Sequence, residues 1–239
     1  MSVLTLVRHG QASFFADIYD QLSTLGQRQA RLLGDYWVRR KIVFDEVYSG
    51  PRARQRQTAE LVGAAYTQAG MIWPEPVVRA EFDEYDLGGM LHKVAPDLCR
   101  NNAAFAQLMA HYQLCEGGPG RARSFQIMFE ALTMHWATAT SCLTGVEGFV
   151  AFRNRVERGL RHVVDRPGSG RRVALFTSGG FIGTSVRLAL AAPDRTALEV
   201  NWRVRNCSLT EFVFTKDRLS LDSFNALPHL EDAALWTYR

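Results

Sequence analysis

One pattern constrains the fold of this chain more than any other: a short apolar run, a break that contains glycine, and then a stretch with helical spacing. Val3 to Val7 runs into Arg8-His9-Gly10, Val43 to Tyr48 into Ser49-Gly50-Pro51, and Val173 to Phe176 into Thr177-Ser178-Gly179-Gly180. Each run has strand length, and beyond each break apolar residues recur at three- and four-residue intervals. After the first run, Ser23 or Thr24 is placed to cap a helix reaching about Arg40. Leu25, Leu32, Leu33, Tyr36 and Trp37 share one face of it, and Arg28, Arg31, Arg39 and Arg40 look outward. After the second, a helix beginning near Pro51 carries Leu61, Val62 and Tyr66. After the third, residues 181 to 190 are helix-like. Strands alternating with helices predict a layered α/β domain with a mainly parallel sheet.

Between these units the sequence is less regular. Residues 14 to 22 read as a loop, Val77-Val78 as a short strand, and FDEYDLGG at 82–89 as an acidic loop ending in two glycines. From about 90 to 145 no strand alternation is visible. Stretches 103–114 and 124–136 look helical and are separated by Gly-Pro-Gly at 118–120, so this region reads as an insertion within one domain spanning 1–239. Phe149, Phe152, Val156, Leu160 and Val163 mark a helix within 147–164. Residues 207–215 and 218–224 form paired strands about Lys216-Asp217, and the tail from 225 is irregular or briefly helical.

Composition narrows the function class. The 239 residues carry a net charge of +4, with arginines dispersed through the chain, so anionic partners are favoured only weakly. No stretch has the layout of a secretory signal, and no window approaches the roughly 18 apolar residues that span a bilayer. Cys99, Cys115, Cys142 and Cys207 lie at no metal-binding spacing and read as reduced thiols, which predicts a cytoplasmic protein with no metal and no membrane partner.

The polar residues at the ends of the runs are the candidates for chemistry. Arg8 and His9 at the end of a buried strand admit two readings. In one, His9 attacks phosphorus while the Arg8 guanidinium holds phosphate oxygens. In the other, a strand merely ends in polar residues. Arg54, in the first turn of a helix after a strand, and Glu84, in the acidic loop, also fall where strand ends converge in an open sheet. Their bland alternatives are a solvated basic face, or a nucleic-acid patch, made by Arg52, Arg54 and Arg56, and a solvated acidic loop made by Asp83, Glu84 and Asp86. The turn at 177–180 can cradle an anion, since a helix N-terminus presents free N–H groups. His92, His111, His135, His162 and His229 read as surface or structural residues, His229 as packing in the tail.

These blocks together resemble the histidine phosphatase superfamily, the phosphoglycerate mutase-like fold. Arg8-His9-Gly10 matches its signature. DQLSTLGQRQA at 20–30 is similar to D-x-L-T-x-x-G-x-x-Q-A, YSGPRARQRQTA at 48–59 to Y-S-S-P-L-x-R-A-x-Q-T-A, and FDEYDLG at 82–88 to L-x-E-x-x-x-G. Asn206-Cys207-Ser208 and FNALPHL at 224–230 resemble the family's N-x-S strand and N-D-x-x-H-L ending. The resemblance implies a three-layer α/β/α domain with a helical insertion over the site. It also implies a metal- and cofactor-independent phosphatase in which His9 is nucleophile, Glu84 general acid, and Arg8, Arg54, Ser178 and Gly179 bind phosphate. Gln11, Ser13 and His92 are possible accessory groups. The implied substrate is a phosphorylated small molecule or phosphoprotein; nucleic acid is not an expected partner, and no oligomeric state is implied.

Two departures qualify that expectation. The family's V-S-H-G-G is Phe176-Thr177-Ser178-Gly179-Gly180 here, so Ser178 stands where a second pocket histidine is expected and brings no positive charge. Phe15 stands where the family often has asparagine. The expectation is a phosphomonoester hydrolase of low or retuned activity, with a catalytically weak phospholigand-binding protein as the alternative. Mutase activity is disfavoured, because EYDLGGMLH at 84–92 does not resemble the R-H-Y-G-type run of the mutases.

Overall fold

A computed structural model describes residues 1–12, 20–115, 117–139 and 145–238. The chain divides into two compact units, one built from 1–84 and 155–239, the other from 85–154. Most of the expected loop at 14–22, together with Ser13, Phe15 and Cys142, lies outside the described residues.

The first unit is organised on β1 (Ser2–Arg8), whose Leu4, Leu6 and Val7 are fully buried. α1 (Thr24–Arg39) follows, started by Ser23, whose hydroxyl accepts the Gly26 N–H at 3.0 Å. Then come β2 (Glu46–Ser49), α2 (Ala53–Gln68) and β3 (Val77–Val78). After the second unit the chain returns through β4 (Arg172–Thr177), α8 (Gly179–Ala189), α9 (Asp194–Asn201), β5 (Leu209–Thr215) and β6 (Arg218–Ala226). The sheet order is β3-β2-β4-β1-β5-β6. The pairs β3–β2, β2–β4 and β4–β1 are parallel, whereas β5 and β6 are antiparallel. The carboxyl ends of β1, β2 and β4 therefore share one edge, with Arg8 opposite Thr177 and Ser49 opposite Phe176.

Strand alternation sorts the core into two faces. Val7, Val47, Ala174 and Phe176 pack with Leu33 and Trp37 of α1 and Val62 and Tyr66 of α2. Trp37, Phe44, Trp73 and Phe176 lie there within aromatic contact. On the opposite face Tyr48 meets Phe82, Phe82 meets Phe181 of α8, and Gly159 lies close against Phe82. Helices thus cover both faces of a central sheet, the α/β layering that the strand–turn–helix pattern predicts.

The second unit is helical. It comprises α3 (Leu87–Gly89), a π-helical turn at Met90–Val94, α4 (Ala95–Asn101), α5 (Ala103–Leu114), α6 (Arg121–Thr138) and the beginning of α7 (Phe149–Val164). Residues 155–164 of α7 belong to the first unit. Tyr85, Trp136, Phe149 and Phe152 build its core, and Phe125 stacks on Phe129 with Tyr112 edge-on.

Local differences from the sequence expectations have physical reasons. Residues 87–89 are helical and not the end of a loop, because the Asp86 carboxylate caps them, accepting the Gly89 N–H at 2.8 Å. α4 and α9 carry too few periodic residues to show in the sequence. α8 begins at Gly179, two residues before the expected start. Among the cysteines, Cys99, Cys115 and Cys207 are free thiols.

Candidate active site

The four residues Thr177–Gly180, where β4 turns into α8, tie the candidate clusters together. The Thr177 carbonyl accepts the His9 N–H at 2.9 Å, and its hydroxyl donates to the Phe82 carbonyl at 2.7 Å. Ser178 Oγ accepts from Gln55 Nε2 at 2.8 Å, and the Gly180 N–H donates to Glu84 Oε2 at 3.0 Å. His9, the first turn of α2 and the acidic loop are thereby fastened to one short turn, as ligand placement at the carboxyl edge of parallel strands anticipates.

His9 is 5% exposed. Its Nε2 lies 3.1 Å from Arg54 Nε, which can only donate, so Nε2 carries the lone pair. Nδ1 then bears the proton and donates to the Gly10 carbonyl at 2.7 Å. Burial, and after it the charges of Arg54 and Arg8, hold the imidazole well below its ordinary pKa, against a smaller opposing pull from the Gly10 carbonyl. The ring is thereby held neutral, with its proton on Nδ1 and its lone pair on Nε2.

Arg54 is 3% exposed, in the first turn of α2. Its NH1 pairs with Asp20 Oδ1 at 2.7 Å, while Asp20 Oδ2 accepts the Ala53 N–H at 2.9 Å at the start of the same helix. Thr58 ties that turn to the loop that follows β1: its hydroxyl donates to the Arg54 carbonyl at 2.7 Å and accepts the Gly10 N–H at 3.1 Å. Arg8 is half-buried and donates to the Val204 carbonyl. Arg52 pairs with Asp83 at 2.6 Å, and only Arg56 of the three neighbouring arginines is exposed. They do not form one solvated face.

Glu84 owes its place to Phe82, which is fully buried between Tyr48, Phe181 and Gly159. Arg155 donates to the Asp83 carbonyl at 2.9 Å and the Glu84 carbonyl at 3.3 Å, and Asp83 Oδ1 accepts the Glu84 N–H at 2.7 Å. The loop is held rigidly, although its composition alone suggests a solvated turn. A Cβ at Gly179 would stand 2.3 Å from Asn201 Oδ1, so the packing of α8 on α9 also demands glycine there.

The accessory candidates separate. The Gln11 side-chain carbonyl accepts from the Ser23 hydroxyl at 2.9 Å, which turns it toward the cap of α1. His92 is exposed on the π-helical turn of the second unit. Ser13 lies outside the described residues.

Several positioning residues escaped the sequence reading. Asn206 Nδ2 donates to the His9 carbonyl at 3.2 Å, and Asn206 Oδ1 accepts from the Thr237 hydroxyl at 3.0 Å. Gln29 accepts the Gln11 N–H at 2.8 Å and donates to the Leu235 carbonyl at 2.7 Å. The C-terminal tail is thereby tied to the loop that carries His9. Asn206 lies within the N-x-S resemblance and Asp20 opens the DQLSTLG block; Gln55, Arg155 and Thr237 carry no sequence signal.

Known proteins share this architecture. The family model described as histidine phosphatase superfamily (branch 1) matches residues 4–130 and 118–227. No curated protein sequence matches the chain significantly. Among solved structures, a phosphoserine phosphatase from Entamoeba histolytica in complex with 3-phosphoglyceric acid is 19% identical at TM-score 0.62, over 96% of this chain and 100% of that one. A putative alpha-ribazole-5'-P phosphatase from Escherichia coli is 18% identical at TM-score 0.64, over 94% and 96%. A phosphoglycerate mutase from Bacillus anthracis is 17% identical at TM-score 0.63, over 96% and 95%. At these identities the likeness establishes a shared fold. Among the described residues no helix is long and apolar enough to cross a membrane.

Proposed function

The chain belongs to the histidine phosphatase superfamily, branch 1, and on that premise we propose that it is a phosphomonoester hydrolase acting through a phosphohistidine on His9. The observation that carries this reading is the state of His9: buried, neutral, its Nδ1 proton held by the Gly10 carbonyl and its Nε2 lone pair facing Arg54. An imidazole kept for packing has no need of a guanidinium beside its unprotonated nitrogen.

In this mechanism the phosphoryl oxygens draw Arg54 Nε away from His9 Nε2 and free the lone pair for attack. The N–P bond forms as the P–O bond to the leaving group breaks. Arg8 and Arg54 balance the charge that spreads over the transferring oxygens. Glu84, oriented by the Gly180 N–H, gives a proton to the departing oxygen. The resulting carboxylate then takes a proton from a water that attacks phosphorus, and His9 leaves as the neutral imidazole. All four groups are side chains of this protein, so the steps require no metal.

Relatives of this fold include phosphatases and a phosphoglycerate mutase. Hydrolysis is favoured over mutase chemistry because the run after Glu84 departs from the mutase pattern. A second reading, a phospholigand-binding protein of little turnover, draws on Asp20 and Ser178: a carboxylate already neutralises Arg54, and a neutral hydroxyl stands where a cation is expected. Phosphate release from a panel of aryl, sugar and amino-acid phosphomonoesters decides between them. Turnover that disappears in His9→Ala and falls in Glu84→Gln supports hydrolysis. Saturable phosphate binding with no turnover on any ester supports the second reading.

A further inference from the structure

Ser178 does not stand alone in the place of the expected histidine. Gln55, in the first turn of α2, is fully buried, as is Ser178, and its Nε2 donates to Ser178 Oγ at 2.8 Å. The other end of the carboxamide is fixed as well: Gln55 Oε1 accepts the Arg52 N–H at 3.0 Å. An amide with its oxygen on a backbone donor presents its nitrogen, and only its nitrogen, to Ser178. Gly50 completes the arrangement. A Cβ there would stand 2.2 Å from Gln55 Oε1 and 2.6 Å from the Phe82 backbone carbonyl, so both the amide and the acidic loop's backbone demand glycine at this position.

These three positions are all departures from the patterns that the chain otherwise resembles. Y-S-S-P-L-x-R-A-x-Q-T-A has serine where Gly50 stands and alanine where Gln55 stands, and V-S-H-G-G has histidine where Ser178 stands. A large side chain is lost at 178, a long one is gained at 55, and a Cβ is lost at 50 where the new amide lies. Interiors are close-packed, so a buried carboxamide and a buried imidazole cannot share one space.

Resting on the phosphoryl-transfer reading above, we propose that Gln55 is the positioning residue of the phosphate cradle, and that Gln55 and Ser178 together form a neutral hydrogen-bonding couple that takes the place of a histidine. A serine hydroxyl has one proton to give and two lone pairs to offer. The Gln55 amide occupies a lone pair, so the hydroxyl proton is directed to a phosphoryl oxygen. The couple supplies a donor without charge. It also makes position 178 conditional on position 55, since histidine at 178 is tolerated only when 55 is small.

The test is a cycle of Gln55→Ala, Ser178→His and the double variant, each assayed with p-nitrophenyl phosphate, for orthovanadate inhibition, and by thermal unfolding. Gln55→Ala is expected to lower kcat about tenfold and weaken vanadate inhibition, because Ser178 loses its orientation. Ser178→His alone should fall further and melt lower, the imidazole meeting Gln55. The double variant should regain at least tenfold over Ser178→His and most of its melting temperature. It should also acquire a new limb in the pH profile, activity falling as the introduced imidazole loses its proton with rising pH.

Effects that multiply across the cycle, or a Ser178→His protein as active and stable as the double variant, overturn the proposal. A purely structural role for Gln55 predicts recovered melting temperature with no new pH limb and unchanged vanadate inhibition, and that result overturns the positioning role. The melting cycle is independent of turnover. A wild type that neither turns over nor binds vanadate therefore defeats the phosphatase reading and the cradle role with it, while an additive melting cycle defeats the coupling of 55 and 178 alone.

Discussion

His229 makes the stability of the first unit depend on pH in a way that its surroundings let us work out. It is 5% exposed beside the Tyr36 ring, with centroids 6.3 Å apart, and neither ring nitrogen has a hydrogen-bond partner among the described residues. Burial lowers its pKa to about 4, against about 6.5 in an unfolded chain. Between those values the unfolded chain binds a proton that the folded protein refuses. The contribution is therefore fully present above about pH 6.5 and is lost as pH falls through about 4. At about pH 5 the loss is roughly 1.5 pH units at about 1.4 kcal/mol each, about 2 kcal/mol, rising to about 3 kcal/mol once both states are protonated. His229→Phe keeps an aromatic ring against Tyr36 and removes the titration. As a swap of similar volume it should shift stability at pH 7.5 by less than about 1.5 kcal/mol. His9, also held neutral by burial, contributes with the same sign in both proteins, so the difference between them isolates His229. Urea unfolding at pH 7.5 and about 5 should show the wild type losing about 2 kcal/mol more than His229→Phe. Parallel losses in the two proteins would mean that the fold does not hold His229 neutral.

The site makes further predictions. Thr237→Val removes the part-buried hydroxyl that donates to Asn206 and accepts from Gln29, and so loosens the link to the His9 carbonyl; if that link orients His9 for attack, kcat should fall by about tenfold, about 1.4 kcal/mol of activation free energy, with KM unchanged and Thr237→Ser restoring the rate in steady-state kinetics. Arg54→Lys keeps the charge but removes the fork that reaches both His9 and Asp20, and kcat/KM on aryl phosphates should fall on the order of 10²- to 10³-fold. A fall of less than threefold would mean that Arg54 does not contact the transferring phosphoryl group.

The parts of the structure that were legible in the sequence are those with local signatures. The strands ending at Arg8, Ser49 and Thr177 show as apolar runs with glycine breaks, α1 shows through its spacing and its start at Ser23, and α2 through its spacing and an expected start near Pro51, one residue before its observed cap at Arg52. α9 stayed hidden because its eight residues, DRTALEVN, present few apolar positions. Arg8, His9, Arg54 and Glu84 stood out because each sits in a recognisable block. Asp20, Gln55, Asn206 and Thr237 did not, since what defines them is a hydrogen bond across the fold: Gln55 to Ser178 spans 123 positions and Asn206 to His9 spans 197. Composition around Gln55 and Ser178 gives no hint that the two meet. The same holds for Arg155, one of many dispersed arginines, which holds the Glu84 loop by its carbonyls.

The most direct measurement is to find where phosphate is attached during turnover. Wild-type protein quenched within milliseconds of mixing with a labelled aryl phosphate should carry an acid-labile, alkali-stable phosphoramidate on His9 Nε2. It should accumulate further in Glu84→Gln when the leaving group needs no proton, and be absent from His9→Ala. Phosphate released with no such intermediate, or label found as an acid-stable ester on serine, would contradict the account.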